Sequence, residues 1–142
     1  MIRKAELSDI REIYDIDRLV LTSHWSEVQY LDEILNPLSF AYVIQANDSV
    51  VGFYILRAIE DTGDILQIAV SPNYQGQGFG TKLMSHLLKM AQSIEVFNVL
   101  LEVEENNHRA LSLYAAFGFE NLSVRKGYYG QNRNAIVMRK VL

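Results

Sequence analysis

The run Ile68-Ala69-Val70-Ser71-Pro72-Asn73-Tyr74-Gln75-Gly76-Gln77-Gly78-Phe79-Gly80-Thr81 limits the fold more than any other stretch. Its apolar start reads as a short buried strand, and Ser71-Pro72-Asn73 ends it. From Leu83 the period changes. Leu83, Met84, Leu87, Leu88 and Ala91 form the apolar stripe of an amphipathic helix. Strand, glycine-spaced loop and helix together make an anion site, because the first amides of a helix lack internal partners and the macrodipole is positive there. Gly76, Gly78 and Gly80 let the backbone approach a bulky anion with no Cβ between.

Two common phosphate loops do not fit. A Walker A loop ends in Gly-Lys-Ser/Thr, whereas this one ends Gly80-Thr81-Lys82. A dinucleotide fingerprint needs a third glycine where Thr81 stands. Glu102 lies about where a ribose-binding acid would, roughly 20 residues on, but inside its strand rather than at the end. The loop Gln75-Gly76-Gln77-Gly78-Phe79-Gly80 resembles Q-x-x-G-x-G/A, the acetyl-CoA pyrophosphate loop of the GNAT N-acetyltransferases. Members of that family often carry Arg or Lys at the first x. Here it is Gly76, so one fixed charge is missing and affinity is expected to lean on the amides.

With 142 residues and no break in composition, a single domain over 1–142 is expected. Hydrophobic residues make up 49%, enough for a core and too many for a disordered chain. The absence of cysteine removes disulfides, thiolate metal sites and an acyl-cysteine intermediate, and is compatible with a cytoplasmic location. Met1-Ile2-Arg3-Lys4-Ala5-Glu6 has no apolar signal region, and no run approaches the ~20 apolar residues of a membrane span. A net charge of -4 argues against nucleic acid as the main partner. The oligomeric state is not set by the sequence.

Along the chain, residues 2–7 read as a short strand, and Ser8 as the cap of a helix reaching Leu21. Ile10, Ile13, Tyr14, Val20 and Leu21 form its apolar face, with Asp17 in the middle. A carboxylate there is either hydrogen-bonded locally or walls a substrate pocket. Thr22 to Trp25 reads as a loop; His24 alone is no metal site. Ser26 with Gln29 is a capping box, and Asn36-Pro37 closes that helix. Residues 40–46 and 50–57 read as a hairpin, 61–64 as a turn and 97–103 as a strand. Asn106 or Asn107 caps a helix with the stripe Ala110, Leu113, Tyr114 and Phe117, and Gly118 follows it. Residues 119–126 and 135–141 are the last strands, joined by a loop holding Tyr128 and Tyr129.

The order β-α-α-β-β-β-α-β-α-β-β is an α/β (α+β) pattern that resembles the GNAT family end to end. That resemblance implies a mixed, mostly antiparallel sheet flanked by helices. Five motifs are similar to the branch of bacterial ribosomal-protein-alanine N-acetyltransferases. They are Trp25-Ser26-Glu27; Ile68-Ala69-Val70 with Pro72, Tyr74 and Gln75; Leu101-Glu102-Val103 with Asn107; Leu113-Tyr114 before Gly118-Phe119; and Arg125 with Tyr128-Tyr129.

The resemblance implies acetyl-CoA as cosubstrate, held by residues 68–70, Gln75 to Thr81, Asn107 and Tyr114. It places the Val70 amide on the thioester carbonyl and Asn107 on the pantetheine arm. It also implies Glu102 as general base through a water, and Tyr114 as the acid for the departing sulfur. Strand alternation sets Glu102 on one face with Leu100 and Glu104. The acceptor implied is a peptide or protein N-terminus, with a ribosomal protein among the candidates, gripped near Asp17, Trp25, Tyr128 and Tyr129. A small-amine (polyamine-like) acetyltransferase and a non-catalytic acyl-CoA-binding module are the alternatives.

Overall fold

A computed structural model describes residues 1–142. The strands are β1 (Ile2–Lys4), β2 (Ser39–Ala46), β3 (Ser49–Ile59), β4 (Thr62–Val70), β5 (Asn98–Glu104), β6 (Glu120–Gly130) and β7 (Arg133–Val141). The helices are α1 (Ile10–Val20), α2 (Glu27–Leu35), α3 (Phe79–Ser93) and α4 (His108–Ala116). All seven strands form one sheet in the order β1-β2-β3-β4-β5-β7-β6. Neighbours are antiparallel except β4 and β5, which α3 joins as a parallel pair.

Helices cover both faces of the sheet. Adjacent residues in the central strands point to opposite faces, so Phe53 and Ile55 enter one core while Tyr54 and Leu56 enter the other. Ile10, Ile13, Ile16 and Tyr30 from α1 and α2 cover the first face. The second is filled by Leu83, Met84, Leu87 and Ala91 of α3, with Tyr114 of α4. The stripe read from the sequence is thus the buried face of α3. No helix is long and apolar enough to cross a membrane.

Several local expectations hold, to within a residue. Ser26 accepts from the Gln29 amide at 3.1 Å and Gln29 returns a bond to the Ser26 amide at 2.8 Å. Asn47 and Asp48, with φ of 52° and 61°, make the two-residue turn between β2 and β3. Asn107 caps α4 by accepting from the Ala110 amide at 3.2 Å. Gly118 has φ 90° just beyond that helix.

Others shift. Ser8 lies in a 3-10 turn (Leu7–Asp9), and α1 starts at Ile10. Asp9 secures that corner, accepting from Arg3 at 2.7 and 2.9 Å and from the Glu6 amide at 2.7 Å. The turn before β4 falls at Glu60, φ 56°, so Thr62, Gly63 and Asp64 are already strand. Gly63 is there for packing: a Cβ would sit 3.1 Å from a Leu56 methyl. Tyr128 and Tyr129 belong to β6 rather than to a loop, within the register break between Arg125 and Gly130.

Asp17 takes the hydrogen-bonded alternative. It is fully buried and accepts from the Tyr30 hydroxyl, from the Trp25 amide at 3.1 Å and from His24 Nδ1 at 2.8 Å. Gln67 of β4 donates to the Tyr30 oxygen at 3.4 Å and to the Ser23 carbonyl at 3.3 Å, tying the α1–α2 loop to the sheet. Replacing Asp17 by Ala leaves the Tyr30 hydroxyl and the Trp25 amide without their acceptor. The expected cost is about 3 kcal/mol in urea unfolding at neutral pH. Asp15→Ala, at an exposed acid of the same helix, should stay within about 0.5 kcal/mol. Equal shifts for the two variants would show that the buried network contributes nothing.

Candidate active site

The site begins with a parting of strands. β4 and β5 pair at only three positions: Thr62 with Asn98, Gly63 with Val99 and Asp64 with Leu100. Beyond Asp64 the strands separate, while the far edge of β4 stays on β3 and that of β5 on β7. The facing edges bound a groove of about 1050 Å³, closed by the glycine loop, by α4, by the α1–α2 loop and by the two tyrosines of β6.

One end is built for an anion. Gly76 and Gly78 have φ of 77° and 89°, and a Cβ on either would meet nothing within 4 Å. The space before the loop is therefore open, and both positions need the left-handed backbone that glycine supplies. Gly80 differs: a Cβ there would touch Leu113 at 3.5 Å, so this glycine keeps α3 close to α4. The first intrahelical bond runs from the Lys82 amide to the Gly78 carbonyl, which leaves the amides of Phe79, Gly80 and Thr81 without helical partners. Gln75 donates to the Val70 carbonyl at 2.9 Å and accepts from Arg109 at 3.2 Å. These features fit a diphosphate.

The groove also gathers acids. Glu102 lies on the half-buried face of β5 with Leu100 and Glu104, as alternation implies. It accepts from Arg125 at 2.7 Å, and that guanidinium lies 4.1 Å from the centre of the Tyr128 ring. Glu104 accepts from Arg133 at 2.8 and 3.1 Å and from Thr22 at 3.2 Å. Asp64 stands where the strands part. Burial raises its pKa, the Arg57 charge opposes that rise, and Glu102 adds to it.

Tyr114 lines the same groove, 8% exposed and edge-on to Phe119. Burial, then the proximity of Tyr129, pushes its phenol well above the ordinary tyrosine value. Its hydroxyl has no hydrogen-bond partner in the protein. Tyr129 is pushed up to about 12, chiefly by burial and then by Glu102. The Glu102 carboxylate, ahead of burial, raises the Tyr128 phenol.

Most of the residues singled out in the sequence meet in this groove. Ile68, Ala69, Val70, Gln75, Gly76, Gly78, Gly80, Thr81, Asn107 and Tyr114 line it, as do Glu102, Trp25, Tyr128 and Tyr129. Three do not. Gln77 turns back to the Asn73 carbonyl at 3.1 Å, and Phe79 packs edge-on against Tyr74 on the other side of the loop. Asp17 is walled off beneath Trp25 by its own hydrogen bonds, so it orders the loop instead of touching a substrate. Asp64, Glu104 and Arg109 line the groove without having been singled out as site residues. The register of β4 against β5 brings in Asp64, and the Asn107 cap fixes where Arg109 begins its helix.

Comparison with known proteins agrees with this geometry. Residues 7–119 match the acetyltransferase (GNAT) family. The chain belongs to the GNAT acetyltransferase family. It is 30% identical to the ribosomal protein bS18-alanine N-acetyltransferase of Escherichia coli K12, over 90% of this chain and 86% of that one. The enzyme of the same name from Haemophilus influenzae Rd is 31% identical, over 97% and 96%. A crystal structure of the Escherichia coli enzyme superposes with a TM-score of 0.92 at 28% identity, covering 99% of this chain and 92% of that one.

In a GNAT enzyme the open glycine loop is the expected seat of the acetyl-CoA diphosphate. Gly78→Asp would put a carboxylate into the open space and should weaken CoA binding about 100-fold by calorimetry. Gln77→Asp, whose parent side chain turns away, should weaken it far less. Equal affinities for Gly78→Asp and the parent, both folded, would exclude this loop as the phosphate site.

Proposed function

We propose that this protein transfers an acetyl group from acetyl-CoA to the α-amine of a peptide or protein N-terminus, with a ribosomal protein as the first candidate. The observation that carries the reading is the lining of one continuous groove. It brings together the open glycine loop, the carboxylates of Asp64, Glu102 and Glu104, and the unpartnered phenol of Tyr114. Relatives that match over most of this chain are named for the alanine N-terminus of ribosomal protein bS18. A cytoplasmic location belongs to the same reading.

Acetyl-CoA supplies the activated acetyl thioester, held by the amides from Gly76 to Thr81 with Asn107 on the pantetheine arm. Glu102, fixed in orientation by Arg125, removes the proton of the incoming ammonium through a water. An α-amine has a pKa of about 7.7–8.0, so a carboxylate suffices near neutrality. The Val70 amide belongs to the unpaired edge of β4 and polarises the acetyl carbonyl. As the new C–N bond forms and the C–S bond breaks, the Tyr114 hydroxyl donates its proton to the sulfur, and the extra proton on the acylated nitrogen returns the phenolate to the phenol. Burial keeps that hydroxyl protonated across the working pH range. With no cysteine to carry an acyl group, transfer is direct.

Trp25, Tyr128 and Tyr129 form the acceptor wall. Tyr128 and Tyr129 meet edge to face at 5.0 Å, and Tyr128 is 46% exposed, a surface suited to an extended chain. One observation favours a second reading. Asp64 is a half-buried carboxylate without a hydrogen-bonding partner, and it would suit the second cation of a polyamine.

Thiol release from acetyl-CoA separates these readings. Peptides beginning with Ala, Ser or Met, including the N-terminus of bS18, are compared with polyamines and free lysine. The bS18 peptide should give the highest kcat/KM. Faster turnover of polyamines than of every peptide would overturn the N-terminal reading and leave the family assignment standing. Tyr114→Phe should lower kcat about 10²–10⁴-fold with CoA affinity kept. Glu102→Gln should lose a similar factor below the amine pKa and less above it, where the amine is already neutral. Parental turnover in either variant would return that residue to a structural role.

A further inference from the structure

The groove holds one cation. Of the residues lining it, Asp64, Glu102 and Glu104 are acidic, and Arg109 alone is a lysine or arginine. The other arginines near the site are engaged, Arg125 by Glu102 and Arg133 by Glu104. Arg109 has no acidic partner. Its one side-chain hydrogen bond goes from Nη1 to the neutral Oε1 of Gln75, at 3.2 Å.

Its place in α4 is unfavourable for the helix itself. Arg109 is the second residue of His108–Ala116, in a first turn that contains no acid. A cation there opposes the positive end of the helix dipole. Helix stability therefore does not explain the position, whereas a bound anion does. Gln75 fixes where the guanidinium goes, because its Nε2 donates to the Val70 carbonyl at 2.9 Å and turns Oε1 toward Arg109. The next residue is Gly76, with no side chain and open space where a Cβ would lie. The remaining N–H groups of the planar guanidinium suit two oxygens of one phosphate.

We propose that Arg109 supplies, from α4, the fixed cation for the acetyl-CoA pyrophosphate that the loop omits at Gly76. The inference rests on the acetyl-CoA reading above. The same chemistry would also serve the 3′-phosphate of the cofactor. Adjacency to Gln75 and Gly76 assigns Arg109 to the pyrophosphate.

The test is calorimetry on the parent, Arg109→Gln and Arg109→Lys with three probes: CoA, 3′-dephospho-CoA and pantetheine. Arg109→Gln should weaken CoA and dephospho-CoA equally, about 10-fold, and leave pantetheine unchanged. The loss should shrink as salt is raised, because the parent loses a charge contact that the variant lacks. Arg109→Lys, which keeps the charge but not the fork, should recover part of the affinity. An equal loss for pantetheine would reduce Arg109 to a prop for Gln75 and overturn the proposal. A loss for CoA with none for dephospho-CoA would move the contact to the 3′-phosphate and overturn the pyrophosphate assignment. Unchanged affinity for all three probes would also overturn it. A parent protein that binds none of them would instead overturn the acetyl-CoA reading.

Discussion

The separation of β4 from β5 after the Asp64–Leu100 pair is the constraint on which the rest of the molecule depends. Each strand keeps an antiparallel partner on its far side, and the β3–β4 ladder shifts register between Ile55 and Leu56, beside the stretch where β4 leaves β5. Backbone groups along the two inner edges need partners other than a strand, which makes the gap a place for water or ligand. A parallel pair also requires a crossover, and α3 provides it. The helix N-terminus is thereby delivered to the mouth of the gap, where its free amides face whatever enters. One topological feature creates both the space and its anion-binding end.

The walls of that space are held by polar ties rather than by further sheet. Thr22 donates to Glu104, and Gln67 holds the Ser23 carbonyl, so the α1–α2 loop is fastened to both β5 and β4. Asp17 anchors the loop from below. Its burial is tolerable because three groups approach its two oxygens. Trp25 thus reaches the groove from a loop that is short but fixed.

Features legible in the sequence were those whose cause lies within a few residues. The stripe of α3, the capping box at Ser26, the Asn107 cap and the left-handed Gly118 each report a local rule, and each stands in the fold. The less legible features depend on partners far along the chain. Gly63 looks like turn chemistry until Leu56 and Val96 crowd its missing Cβ. Tyr128 and Tyr129 look like loop residues because the register break before Gly130 interrupts alternation. Asp17 reads as a locally hydrogen-bonded acid or as a pocket wall until Tyr30, His24 and Trp25 are found around it. Arg109 gains meaning from Gln75, 34 residues earlier in the chain. The missing charge at Gly76 was visible, but the residue standing beside it belongs to another helix.

Arg125 joins two parts of the acceptor end that could otherwise move separately. One guanidinium nitrogen holds the Glu102 carboxylate at 2.7 Å, while the plane of the group lies over the Tyr128 ring. Tyr128 in turn meets Tyr129 edge to face, and Tyr129 is close enough to Tyr114 to raise its pKa. Glu102, Arg125, Tyr128 and Tyr129 are therefore consecutive links of one contact chain, and Tyr129 acts electrostatically on the buried Tyr114 phenol. β5, β6 and α4 supply these residues, and β7 lies between the two strands in the sheet. A displacement of β6 at its register break would shift the tyrosines and, through Arg125, the carboxylate with them. The irregular stretch between Arg125 and Gly130 is thus the place where the two tyrosines are set against Glu102.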